Sequence, residues 1–266
     1  MIQRGDYSDA PFTAMLYDLV PAYINRGDLD FYTGYARESS GPVLELGCGT
    51  GRVLIPIACE GIQITGLDLS EFMLTKCREK LEKEPPEIRQ NAETVMGDMR
   101  TFDLEKTFGL ATSPFRAFQH LITLEDQISC ITCIYNHLQP GGKFILDIFN
   151  PDLKRIASLP SGKEIEDLPE VTIADGRKLR RAARVPKINR PEQYMDVELI
   201  YYVTSVNGQT ERYVHAFNMR YLFRYEVEHL LARCGFRIVE LFGNYDKSSL
   251  ADNSPEMIFI AEKPGY

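Results

Sequence analysis

Through the first 150 residues, short apolar runs alternate with stretches whose apolar residues recur at helical spacing. Val43-Leu44-Glu45-Leu46, Gln63 to Leu67 (ending at Asp68), Thr94 to Met96, Gly109 to Ser113 and Lys143 to Asp147 read as buried strands. Between them, Arg52 to Glu60 forms one helix. Met73, Cys77 and Leu81 with Leu74 mark a second face; Leu124, Ile128, Ile131, Tyr135 and Leu138 mark a third. Ser70 and Thr123 are suited to cap the second and third helices, Asp126 stands at capping-box spacing, and Pro140-Gly141-Gly142 closes the third. Lys83 to Gln90, with Pro85-Pro86, reads as a loop or break. Strand and helix in this rhythm predict βαβ units, and right-handed crossovers would bring the strand ends to one edge of a parallel sheet.

Two stretches break the rhythm. Pro11 to about Ser40 reads as one or two helices rich in tyrosine, an amphipathic cap. From about Glu170 to Tyr221 the pattern is strand-like, with turns at Asp175-Gly176 and Asn207-Gly208. Helical spacing returns at Val227, Leu230, Leu231 and Cys234, and two strands follow, Arg237 to Phe242 and Met257 to Ala261. The expected organisation is a helical cap (1–40), a core (41–160 with 222–266) and an antiparallel β insertion (161–221) before the last helix. The fold class is α/β: a Rossmann-like, mainly parallel seven-stranded sheet with helices on both faces.

The first strand runs into Gly47-Cys48-Gly49-Thr50-Gly51. Glycine permits the sharp turn and lets a ligand approach the backbone, and the following helix offers unpaired N–H groups to an anion. About twenty residues on, Asp68 ends the next strand, where an acid would accept from a ribose hydroxyl pair. The spacing is G-x-G-x-G, not the G-x-G-x-x-G of dinucleotide sites, which disfavours a nicotinamide-dependent oxidoreductase.

Glu45 to Gly51, then Gly66-Leu67-Asp68-Leu69-Ser70, then Gly97-Asp98-Met99 resemble the three ordered motifs of the class I S-adenosylmethionine-dependent methyltransferases. The resemblance implies methyl transfer by in-line displacement, with S-adenosylhomocysteine as product. Backbone at Gly47, Cys48 and Gly49 would line the methionine moiety and Asp68 would hold the ribose. Leu69 and Met73 would flank the adenine, Asp98 would accept from its amino group near the Met99 N–H, and Pro114 and Phe115 would border the methyl. In small-molecule enzymes of this kind N-terminal aromatics close over the cofactor, which points to Tyr17 and Tyr32. Ser113-Pro114-Phe115-Arg116 lacks the Asp or Asn with Pro-Pro of nucleic-acid base methyltransferases. That departure, and a layout resembling amino-sugar and glycine-type N-methyltransferases, imply a small-molecule acceptor methylated at N or O. A non-catalytic protein that binds the cofactor and docks a partner would carry the same motifs.

His120 follows the fourth strand, and reads as a proton acceptor or as a packing residue; His215, on an insertion strand, is the second such candidate, while His137 and His229 lie in helices. Composition narrows the partners. The 266-residue chain carries a net charge of −8, against a general affinity for nucleic acid or anionic membrane. A basic run from Arg177 to Arg190 reads as a solvated strand face, or else as a site for an anionic group or RNA. Cys130 and Cys133 form a C-x-x-C without a second pair or histidine at zinc spacing, so packing thiols and no metal are expected. No apolar run approaches the roughly 18 residues of a membrane span, and the start lacks a signal-peptide stretch, so a cytoplasmic location is expected.

Overall fold

The computed structural model describes residues 2–7 and 10–265. In chain order its elements are β1 (Ile2–Gly5), α1 (Pro11–Tyr17), α2 (Pro21–Ile24), α3 (Leu29–Arg37), β2 (Val43–Leu46), α4 (Leu54–Cys59), β3 (Ile64–Asp68), α5 (Glu71–Leu81), α6 (Pro86–Arg89), β4 (Ala92–Met96) and β5 (Phe108–Ser113). A 3-10 turn at Ala117–His120 precedes α7 (Leu124–His137), β6 (Leu138–Phe149) and α8 (Leu153–Ala157). Then come β7 (Ser161–Thr172), β8 (Lys178–Asn189), β9 (Tyr194–Thr204), β10 (Thr210–Arg220), α9 (Arg224–Arg233), β11 (Arg237–Phe242) and β12 (Glu256–Glu262).

Seven strands form the main sheet in the order β11-β12-β6-β5-β2-β3-β4. Every pair from β6 to β4 is parallel, and β12 runs against both its neighbours. Strand order therefore reverses between β2 and β5, the place where open α/β sheets leave a crevice beyond their carboxyl ends. Alternation along β6 fills both faces: Phe144 and Leu146 pack with α7 and α9 residues such as Ile131 and Leu231. Ile145 packs on the other face with Tyr32 of α3, Ile57 of α4 and Cys77 of α5. Ser70 and Thr123 cap α5 and α7 through their side chains.

β7 to β10 form an antiparallel sheet. Its fifth strand corrects the expectation of a purely helical start: β1 pairs in parallel with β10, Gly5 opposite His215. Four residues are too few to show a period, and what recruits them is the open edge of β10. The break expected around Pro85-Pro86 holds one helical turn, α6, started by a proline whose fixed φ suits the first helical position. The basic run on β8 is largely a cross-strand ladder of ion pairs: Lys178 with Glu170, Arg181 with Asp167 and Arg184 with Glu198. Among the described residues no helix is long and apolar enough to cross a membrane.

A buried charge cluster ties the helical cap to the sheet. Arg52, just past the glycine turn, grips the fully buried Asp28 with both guanidinium arms, at 2.5 and 2.8 Å. Arg26 lies 3.6 Å from the same carboxylate and donates to Glu256 of β12 at 2.5 Å and to the Tyr245 hydroxyl at 2.9 Å. Removing one member strands the rest: Asp28→Ala is expected to cost about 3–5 kcal/mol, because the Arg52 guanidinium stays buried without its carboxylate. A urea unfolding midpoint that does not move would show that this pair does not anchor the cap.

Candidate active site

The glycine turn takes the conformations the motif requires. Gly47 and Gly49 sit at φ +70° and +54°. A Cβ on Gly47 would come within 2.6 Å of the Ala117 side chain, so this turn and the segment after β5 meet only because Gly47 has none. A Cβ on Gly49 would meet no protein atom within 4 Å, leaving its backbone open to a ligand. Asp68 closes the turn from β3, accepting from the Gly49 and Ser70 N–H groups, each at 2.8 Å. Burial raises the Asp68 pKa, and these two bonds only partly offset it.

A cavity of about 430 Å³ opens at this edge. The turn contributes Gly47 and Gly49; the end of β3 and start of α5 contribute Asp68, Leu69, Ser70 and Met73, with Met99 beyond β4. Past β5 it is lined by Pro114, Phe115, Ala117, His120 and Ile122, and α1 supplies Tyr17. Asp18 holds α1 there, accepting from Thr50 of the turn at 2.7 Å and from Lys80 of α5 at 2.9 Å. The antiparallel sheet closes the far side with Ala216, Phe217 and Asn218, while Asp6 and Tyr7 follow β1 into the cavity. The Ser70 hydroxyl, which caps α5, donates to the Tyr7 carbonyl. Ten expected residues thus meet here: Tyr17, Gly47, Gly49, Asp68, Leu69, Met73, Met99, Pro114, Phe115 and His120. Asp6, Tyr7 and Phe217 carried no sequence signal, since their place depends on β1 docking on β10. A second hollow, about 450 Å³ between Phe102 to Thr107 and the end of α7, lies at the opposite, amino ends of the strands.

Four expected residues lie outside the lining. Tyr32 is fully buried, and its hydroxyl donates to Asp147 of β6 at 2.9 Å rather than facing a ligand. Cys48 turns inward against Gly66, so the alternate residues Gly47 and Gly49 carry the contact surface. Asp98 gives its carboxylate to Arg100, at 2.9 Å from the Arg100 Nε, and that guanidinium holds its pKa down. His215 is 1% exposed and sits behind Tyr7, ring centroids 4.1 Å apart.

The corner bordering the cavity is strained. Phe115 and Arg116 both adopt positive φ, +53° and +68°, at a cost of about 1–3 kcal/mol each for residues with side chains. The buried polar cluster offsets this. Asp147 accepts from the Phe115 N–H at 3.2 Å and from the Tyr245 hydroxyl, Arg116 reaches Glu256 at 2.9 Å, and the Arg26 guanidinium lies 4.6 Å over the Phe115 ring.

Burial also fixes protonation. His120, expected to titrate near neutrality, is pushed down to about 4 by desolvation, against a hydrogen bond to the Asn218 main chain. His215 is pushed to about 3 by desolvation and by His120. Both rings are thus neutral at pH 7. Under the turn, desolvation raises fully buried Glu45 to about 8 despite Arg52. A carboxyl whose pKa rises on folding stabilises the fold most below its unfolded value and loses that contribution as pH climbs through the folded one. The Glu45 contribution is therefore expected to fall between pH 4.5 and about 8, opposed up to about 6.5 by the two depressed histidines, and Glu45→Gln to remove the falling part, most visibly between pH 6.5 and 8. Denaturant titrations at several pH values check it; equal slopes in both proteins would place Glu45 ionised in the fold.

Residues 43–142 match the family described as methyltransferase domain. Over 250 residues, 93% of this chain and 94% of the relative, the sequence is 25% identical to the cypemycin N-terminal methyltransferase of a Streptomyces species. It is 31% identical over 147 residues to the dTDP-3-amino-3,4,6-trideoxy-alpha-D-glucopyranose N,N-dimethyltransferase of Streptomyces venezuelae, covering 50% of this chain and 56% of that protein. The fold is similar to an S-adenosylmethionine-dependent methyltransferase from Clostridium acetobutylicum, with a TM-score of 0.76 at 16% identity over 96% of this chain and 98% of that one. With the glycine turn, the acid at the end of β3 and the sheet order all in place, the chain carries a methyltransferase domain and is an S-adenosylmethionine-dependent methyltransferase.

Proposed function

We propose that the chain methylates a nitrogen of a small-molecule acceptor. One observation carries this reading: a single cavity joins the glycine turn and Asp68 to a separate end formed by His120, Phe217 and Asn218. The relatives named above as N-terminal and N,N-dimethyltransferases support nitrogen as the acceptor atom. The net charge of −8 and the paired state of much of the basic run favour a small molecule over nucleic acid.

Bound S-adenosylmethionine supplies a methyl group on a sulfonium, open to in-line attack by a nitrogen lone pair. The protein's part is to position the partners and shed water. Backbone at Gly47 and Gly49 would receive the methionine end, and Asp68, between β3 and α5, would accept from the ribose. Leu69 and Met73 would flank the base, and Phe115, held by Asp147 and Arg26, would border the methyl group. His120 orients rather than deprotonates: at a pKa of about 4 it is too weak a base for an alkylammonium, but a ring nitrogen not held by Asn218 accepts from an N–H.

Charged hydrogen bonds of this kind contribute about 1.5–3 kcal/mol, so Asp68→Asn is expected to weaken S-adenosylhomocysteine binding about ten- to over a hundred-fold. Calorimetry measures this; unchanged affinity in a folded variant would place the ribose elsewhere. For His120→Ala, loss of orientation is expected to cut kcat/KM about a hundred-fold. The wild-type pH profile should show no acidic limb near 6.5. Such a limb, abolished by the substitution, would instead make His120 the base.

A further inference from the structure

The wall that β10 gives to the cavity is a strand edge. Main-chain groups along a strand turn to alternate sides, and the Tyr221 N–H turns toward β9, donating to the Gln193 carbonyl at 2.9 Å. Arg220, Asn218 and Ala216 therefore turn theirs the other way, to the side where β1 pairs. Two contacts agree. The Arg220 carbonyl accepts from Gln119 at 2.7 Å, and the His120 ring bonds to the Asn218 main chain in the sense that raises its pKa, as a ring N–H donating to a carbonyl does. β1 ends at Gly5, opposite His215, and the chain then crosses to the core, where the Tyr7 carbonyl accepts from Ser70. One step of the edge is left uncovered between the end of β1 and the turn that carries His120, and Ala216 and Asn218 line the cavity there. The Asn218 side chain points to the other face, donating to Asp196 at 2.7 Å, so its backbone is what meets the cavity. Among the described residues no main-chain group pairs with the Ala216 carbonyl or the Asn218 N–H on this side. Charges of both signs act at this end, Asp6 raising and Arg181 lowering the His215 pKa, so no single charge selects the acceptor.

Resting on the amine-methylating reading above, we infer that the acceptor is the amino terminus of a peptide, bound by strand addition to the Ala216 carbonyl and the Asn218 N–H. In a parallel pairing one residue of an added strand donates its N–H to the first of these and accepts at its own carbonyl from the second. The first residue of a peptide carries both groups, with its amine as the donor, and it continues the parallel pairing that β1 begins. Its amine then lies beside His120, and its side chain falls on the sheet face that carries Phe217. Protonation agrees with this class. A lysine-type amine, with a pKa of about 10.4, stays almost wholly protonated at neutral pH, whereas a peptide amino group at about 7.7–8.0 gives its proton to solvent without a strong base. The freed lone pair forms the N–C bond as the C–S bond breaks. That bond's electron pair stays on a neutral sulfur, and the methylated ammonium takes up the positive charge.

Three probes test the inference: alanyl-alaninamide, sec-butylamine, which keeps the amine without the carbonyl, and glucosamine, an amino sugar. Each is titrated by calorimetry and ligand-observed NMR into protein saturated with S-adenosylhomocysteine at about pH 8, where a peptide amine is largely neutral. The peptide amide is expected to bind at least about tenfold more tightly than either of the others. Its binding should shift the Asn218 amide resonance of the protein downfield and slow exchange of that proton with solvent about tenfold or more. Asn218→Pro, which removes that N–H donor at a strand edge, should bring the peptide amide to the level of sec-butylamine, with S-adenosylhomocysteine affinity within about threefold. Equal binding of peptide amide and sec-butylamine, no binding of the peptide amide, tighter binding of glucosamine, or unchanged peptide affinity in Asn218→Pro overturns it. So does an Asn218 amide that neither shifts nor gains protection in the wild-type protein, whether or not the proline variant folds. Failure of S-adenosylhomocysteine itself to bind would strike the methyltransferase reading instead, and is read separately in the same titrations.

Discussion

The structure depends on a group of charges taken out of water together. Arg52, Arg26 and Arg116 face Asp28, Asp147 and Glu256, and the Tyr32 and Tyr245 hydroxyls both donate to Asp147. Such a cluster contributes little net stability compared with an apolar core, but each member is costly to leave alone. That asymmetry suits it to fixing geometry. Its members come from the cap, the glycine turn, the corner after β5, the end of β6 and the segment into β12. No one of these can shift without stranding a charge. The left-handed corner at Phe115 and Arg116 is held by this constraint, and with it one wall of the cavity.

The same dryness sets the chemistry of the site. Glu45 and His215 are enclosed by protein groups and His120 is half-buried at the cavity wall, and each is driven to its neutral form at pH 7. A neutral imidazole with a pKa of about 4 hands an amine a hydrogen-bond acceptor without competing for its proton. On the proposed reading, the site works by orientation, which suits a displacement that consumes the charge of its own donor.

Much of this was legible in the sequence where a pattern is local. The apolar runs and helical spacings located all seven strands of the main sheet, and the glycine turn, Asp68 and the Pro114-Phe115 corner were placed by their positions at strand ends. Those features follow from backbone conformation and burial over a few residues, which one stretch of chain can encode. The tyrosines show the limit. Tyr17 and Tyr32 looked alike in sequence, yet Tyr17 lines the cavity and Tyr32 is spent on Asp147, 115 positions away.

The sequence by itself determined the order of elements, the turn and the acid beside it, because each is fixed by local sterics and hydrophobic periodicity. Only the tertiary structure decided that Ile2–Gly5 is a strand, that Asp98 pairs with Arg100, and that His120 titrates far below neutrality. Those outcomes depend on which distant groups share a buried volume. Desolvation and pairing act through space, and spacing along a chain carries no record of either until the chain has folded.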